Sequence, residues 1–102
     1  MAIRKSKRLQ PLYPGEVIKE LLSEAGLTVS ALSLALRMPA NRIGGIVKGH
    51  RGITGETSLR LARYFGTSAE MWMNLQAKYD LAIAEDAAAA RIRKEVHPRV
   101  AA

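Results

Sequence analysis

The sequence predicts an all-α protein, a bundle of five helices whose last member is extended. Three observations carry that expectation. Apolar residues recur at helical spacing from Val17 onward, the period of one helix face. Proline and glycine interrupt the pattern at Pro14, Gly26, Pro39, Gly49 and Gly66, which divides it into short helices. After Gly66 the interruptions stop, and an apolar stripe runs from Trp72 into the alanine run Ala87 to Ala90.

The first helix is expected over about Pro14 to Ala25. Pro14 and Gly15 mark its start, and Glu16 lies in the first turn, where negative charge suits the helix dipole. Val17, Leu21 and Ala25 repeat every fourth residue, with Ile18 and Leu22 beside them, and Gly26 closes the helix. Lys19, Glu20, Ser23 and Glu24 form its polar face. The second helix is expected over about Val29 to Leu36, with Thr28 as cap and Ala31, Leu32, Ala35 and Leu36 as its buried stripe. Arg37, Met38 and Pro39 break it, because Pro39 biases Met38 toward extended geometry. Pro39 suits the start of a third helix, about Ala40 to Val47. That helix turns Ile43, Ile46 and Val47 inward and Asn41, Arg42, Gly45 and Lys48 outward, and Gly49 ends it. Two short helices, a sharp turn and a polar basic outer face on the second together read as a helix-turn-helix.

A fourth helix is expected over about Gly55 to Phe65, capped by Thr54. Leu59, Ala62 and Phe65 share its inner face, Leu61 flanks it, and Arg60 and Arg63 face water or, as the alternative, reach out to a phosphate. In the fifth, Thr67 and Glu70 have the spacing of a capping box. Trp72, Leu75, Tyr79 and Ala82 form an apolar stripe, with Met71 beside it, and read as core rather than as a ligand box. The alanine run favours continuation to about Arg93. His97-Pro98 stops any helix. The expected organisation is a basic arm over 1–13, one domain over 14–93 and a tail over 94–102.

At 102 residues the chain is one small domain, and a partner subunit would help it bury apolar surface. Its net charge of +7 favours a polyanion partner by long-range attraction. There is no cysteine, so a disulfide frame and a thiolate metal site are both excluded. No apolar run is long enough for a membrane span, and the charged N-terminus lacks the apolar core of a secretory signal, so a cytoplasmic protein is expected. Within the arm, Arg4, Lys5, Lys7 and Arg8 form a basic cluster. It reads either as a frayed terminus or as a strand of charge that follows a phosphate backbone or enters a minor groove. Gly44-Gly45 lies inside a helix and follows no strand, so it is no phosphate loop. The two histidines, His50 and His97, lack zinc-site spacing, and no nucleophile–base set stands out. No metal, cofactor or catalysis is expected.

The stretches MPANRIGGIVKGHRGIT and LRLARYFGTSAEMWMNLQAKYDL resemble the Cro/phage-repressor helix-turn-helix family. More narrowly, Gly49 to Leu81 is similar to the "GxRGIT…LRLAxxFGTSxExWxNLQxxYDL" signature of its HigA-type antitoxin branch. The resemblance covers about Pro14 to Ala84 and implies a lambda-repressor-like bundle. It implies a protein that binds its own operator and neutralises a cognate toxin, a small ribosome-dependent mRNA endonuclease. A stand-alone regulator without a toxin is the alternative, and an RNA-binding or nucleoid factor a third.

On this reading double-stranded DNA is the partner, and the third helix lies in the major groove. Asn41 offers a donor and an acceptor to adenine, Arg42 suits guanine or phosphate, and Ala40 is short enough for a thymine methyl. Gly45, also on that face, either lets the backbone approach the groove or leaves a degenerate reading surface. Thr28, Lys48 and Arg51 are expected on phosphates, Arg51 from the loop that in this family skirts the backbone. Many relatives place glutamine just after the cap and glycine in the turn; here these are Val29 and Arg37. A homodimer is expected, joined through the C-terminal half of the fifth helix. The first helix and the arm are the expected toxin surface.

Overall fold

The computed structural model describes residues 12–100 and contains five helices and no strand among them. They are α1 (Pro14–Ala25), α2 (Val29–Leu36), α3 (Ala40–Val47), α4 (Gly55–Phe65) and α5 (Ala69–Glu95). The first four have the expected bounds, and α5 runs two residues beyond Arg93, to Glu95.

Each boundary has a local cause. Thr28, Thr54 and Ser68 precede α2, α4 and α5, and their side-chain oxygens accept from the N–H groups of Ala31, Thr57 and Met71. Gly26 and Gly66 end α1 and α4 in the left-handed region, at φ 70° and 75°. The cap of α5 corrects the expected Thr67–Glu70 box. Ser68 caps, while the Thr67 hydroxyl oxygen accepts the indole N–H of Trp72 at 2.7 Å. A fully buried indole requires an acceptor, and Thr67 supplies it.

The core is one cluster: Ile18 and Leu22 from α1, Leu32 and Leu36 from α2, Ile43, Ile46 and Val47 from α3, Ile53, Leu61 from α4 and Trp72 from α5. On α1 the buried line is Ile18–Leu22, with Val17 and Leu21 at its edge, and Ala25 is exposed. On α2 Ser33 is buried instead of Ala35, its hydroxyl turned back to the carbonyls of Val29 and Ser30. Leu59 does not belong to the core. Of its surface 64% is exposed, and the inner face of α4 is Thr57, Ser58 and Leu61, with Ala62 and Phe65 packed beside them. The reason is the cap: Ser58 donates to the Thr54 carbonyl and Thr57 meets the Thr54 hydroxyl, which turns these small polar residues inward already satisfied. Arg60, expected in water, instead straps α4 to α2. Its guanidinium donates to the Leu36 carbonyl at 2.9 Å and to the Glu56 carboxylate at 2.8 Å.

A close approach and a turn position α3. A Cβ on Gly15 would overlap the Ile46 carbonyl oxygen, so glycine lets the start of α1 lie directly against α3. At the other end Arg37 makes the turn with φ 59° and ψ 46°, the single non-glycine residue with positive φ among the described residues. Its N–H donates to Leu34 and that of Met38 to Ser33, closing α2 as a glycine would. The bulky side chain costs about 1 kcal/mol in that conformation, offset by the packing of the two helices it joins.

Candidate nucleic-acid interface

The inner side of α3 is fixed by Ile43, Ile46 and Val47, all buried, and α3 packs against α1 and α2. Its outer side is therefore determined by spacing alone. Asn41 and Gly45 lie one above the other, as do Gly44 and Lys48. Ala40, Asn41 and Lys48 are exposed, and Arg42 is half-buried. Pro39 precedes the helix and makes no side-chain cap, so α3 begins with unfilled N–H groups beside Ala40 and Asn41.

The loop after α3, the expected phosphate contact, is more constrained than its sequence suggests. Gly49 turns the chain at φ 81°, with the Tyr13 ring 3.2 Å from where a Cβ would stand. The Tyr13 hydroxyl donates to the Val47 carbonyl at 3.3 Å, and its ring packs on Tyr79 of α5 at 5.5 Å between centroids. Arg51 folds back onto α3: its Cβ, Cδ and Nε lie 3.6–3.8 Å from the Cβ position of Gly45. Two residues that the sequence places in separate roles are thus one contact, with the arginine stem occupying the room the glycine leaves. Gly44 by contrast has open space beside it.

Beyond Arg51 the loop is tied to α5. The Ile53 N–H donates to Gln76 Oε1 at 2.9 Å, and Gln76 Nε2 donates to Asp80 Oδ1 at 2.9 Å. Sequence reasoning misses Gln76, Asp80 and Tyr13. The first two sit on what reads as a core helix, and a hydrogen bond from residue 76 to residue 53 has no local signature. Thr28 is exposed; its hydroxyl oxygen accepts from Ala31, which leaves the hydroxyl proton free to donate. Arg4, Lys5, Lys7 and Arg8 lie outside the described residues. No group of three or more potential metal ligands occurs among the described residues, and no described helix is long and apolar enough to cross a membrane.

Exposed cationic and amide side chains on a short supported helix, followed by a braced basic loop, suit a duplex with negative rails and readable base edges. Comparison with known proteins agrees. A family model described as helix-turn-helix matches residues 18–72. The chain is 46% identical over 87 residues to virulence-associated protein I of Dichelobacter nodosus, covering 83% of this chain and 81% of that protein. It is 34% identical over 80 residues to antitoxin HigA-1 of Vibrio cholerae, covering 78% and 74%. The solved structure of Pseudomonas aeruginosa antitoxin HigA with the higBA promoter superposes with a TM-score of 0.85 at 41% identity, covering 89% of this chain and 100% of that one. The fold is a DNA-binding and non-enzymatic one. The chain belongs to the Cro/phage-repressor helix-turn-helix family, in its HigA-type antitoxin branch.

Proposed function

We propose that this chain binds its own operator as a homodimer, represses from it, and neutralises a cognate toxin. The observation that carries the reading is the outer face of α3. Asn41 and Lys48 are exposed on a helix whose opposite side is locked into the core, and Arg51 lies along Gly45 on that same outer face. The Pseudomonas relative bound to its promoter supports the same use of this fold.

In the proposed complex α3 enters the major groove, N-terminal end toward the bases. Asn41 pairs with an adenine edge, Arg42 takes a guanine or a phosphate, and Ala40 meets a thymine methyl. Thr28, Lys48 and Arg51 hold phosphates and set register without reading sequence. The basic arm with Arg4, Lys5, Lys7 and Arg8 adds sequence-independent affinity.

One such helix reads only a few base pairs, so the reading requires two copies about 34–36 Å apart. Their contact is assigned to α5 from its midpoint onward, where Leu81, Ala84, Ala88 and Ile92 succeed one another on one face and Leu81 and Ile92 are 66% and 47% exposed. Toxin binding is assigned to α1, whose Lys19, Glu20, Ser23 and Glu24 are exposed and leave α3 free. The name of the Vibrio relative, antitoxin HigA-1, supports this second activity.

The test is footprinting on the protein's own promoter at two salt concentrations. The wild-type chain should protect two half-sites one helical turn apart. Asn41→Ala with Arg42→Ala should abolish discrimination from scrambled duplex; unchanged promoter recognition by that variant rules the reading out. Co-expression with the product of the adjacent reading frame tests the antitoxin half. A complex that Glu20→Lys with Glu24→Lys disrupts supports it, and survival of the complex in that variant removes α1 from the role.

A further inference from the structure

We infer that Gln76, on the scaffold helix α5, is the positioning residue for the DNA contact made by Arg51. The inference rests on the reading of Arg51 as a phosphate contact. It adds the device that holds that side chain in place before DNA arrives.

Residues 49–52 are exposed and lie between α3 and α4, so left alone they would sample many conformations. The loop is instead held at three points: by Tyr13 at Gly49, by the packing of Arg51 on Gly45, and by Gln76 at Ile53. The third hold is the one with a defined direction. A glutamine amide has an oxygen end and a nitrogen end of nearly equal size, and either fits the same space. Asp80 removes that ambiguity, because an ionised carboxylate only accepts. It takes the NH2 end at 2.9 Å, which leaves the oxygen facing the Ile53 N–H at 2.9 Å. Gly52 completes the fit. A Cβ there would stand 3.1 Å from the Cδ, Nε2 and Oε1 of Gln76, so the amide lies flat on a residue with no side chain. Arg51 is the residue immediately before that contact. A loop ordered in advance spends less binding free energy on becoming ordered.

The consequence is that α5 serves both ends of the protein's work. The same helix carries the apolar face assigned to the second copy and the amide that aligns the phosphate loop.

The experiment is the salt dependence of operator affinity, with thermal unfolding measured on the same samples. Arg51→Ala is expected to reduce the slope of log K against log salt by about 0.9, one phosphate contact on duplex DNA. Gln76→Leu, which cannot accept from Ile53, is expected to lose most of that same increment. Gln76→Leu combined with Arg51→Ala is expected to lose no more than Arg51→Ala alone. The paired exchange Gln76→Glu with Asp80→Asn reverses the bond between them but keeps an acceptor for Ile53 and the same net charge, and is expected to restore the slope. Gly52→Ala should behave as Gln76→Leu does.

A Gln76→Leu protein with lowered melting temperature and the full wild-type slope overturns the positioning role while leaving Arg51 as a contact. Failure of the paired exchange to restore the slope also overturns it. A wild-type slope in Arg51→Ala overturns both the phosphate contact and the inference built on it. Should Gln76→Leu fail to fold, the paired exchange and Gly52→Ala carry the same decision.

Discussion

The two halves of α5 share one backbone geometry and differ in what lies across from them. The near half carries Trp72, which is fully buried, and Leu75, Gln76 and Tyr79, each partly covered by the domain. Leu81, at the midpoint, and Ile92, in the far half, are exposed, and residues 90–100 are exposed throughout. Between them lies the alanine run Ala87 to Ala90, which sustains the helix by propensity where no packing does. The comparison teaches that continuity of a helix and burial of a helix have separate causes. A 27-residue helix is about 40 Å long, and only its first half has a domain to lie on.

The largest test of that difference is truncation in each half. Trp72→Ala should destabilise the fold by about 3–5 kcal/mol, through lost burial and the Thr67 hydroxyl left without its indole partner. Leu81→Ala in dilute protein should stay within about 0.5 kcal/mol. Urea unfolding followed by circular dichroism measures both, and comparable losses would mean that the far half is packed in solution.

Second in size is the effect on assembly. Leu81→Asp with Ile92→Asp should leave helicity intact, convert the proposed dimer to a monomer by light scattering, and weaken operator binding at least about tenfold, or 1.4 kcal/mol. A dimer that survives both charges assigns the two-fold contact elsewhere.

Smaller effects sharpen the contrast at the two ends of the helix. Ser68→Ala removes the acceptor for the Met71 N–H and should cost about 1 kcal/mol. Arg91→Ala removes an exposed pair with Glu95 at 3.8 Å and should cost under about 0.5 kcal/mol. Thermal unfolding distinguishes them.

The smallest expected effect is a pH dependence confined to the packed region. A hydrogen bond from Arg60, and then its charge, hold the Glu56 carboxyl below its ordinary range. A lowered folded value means a contribution fully present above the unfolded pKa and lost as pH falls through the folded one. Acid should therefore weaken the Glu56–Arg60 pair within α4, and Glu56→Gln should flatten that part of the stability profile. The carboxylate is exposed, so the change is slight.

Much of the site is legible along the chain because its causes are local. The cap at Thr28, the break at Pro39, the end at Gly49 and the inward set Ile43, Ile46 and Val47 all follow from spacing within a few residues. The misreadings have one origin, a competing partner that spacing does not reveal. Leu59 reads as inward because it is apolar, but the cap at Thr54 sets the rotation of α4. Thr67 reads as a cap because of its distance from Glu70, but a buried indole claims its oxygen.

By itself the amino-acid order determined five helices, the ends of the first four, the turn and the inward face of α3, since each depends on contacts between near neighbours. Only the tertiary structure decided that Arg51 lies on Gly45, that Gln76 holds Ile53, and that Gly15 must yield space to Ile46. Those pairings depend on how the chain folds back on itself, and no periodicity records which backbone atom a side chain will meet.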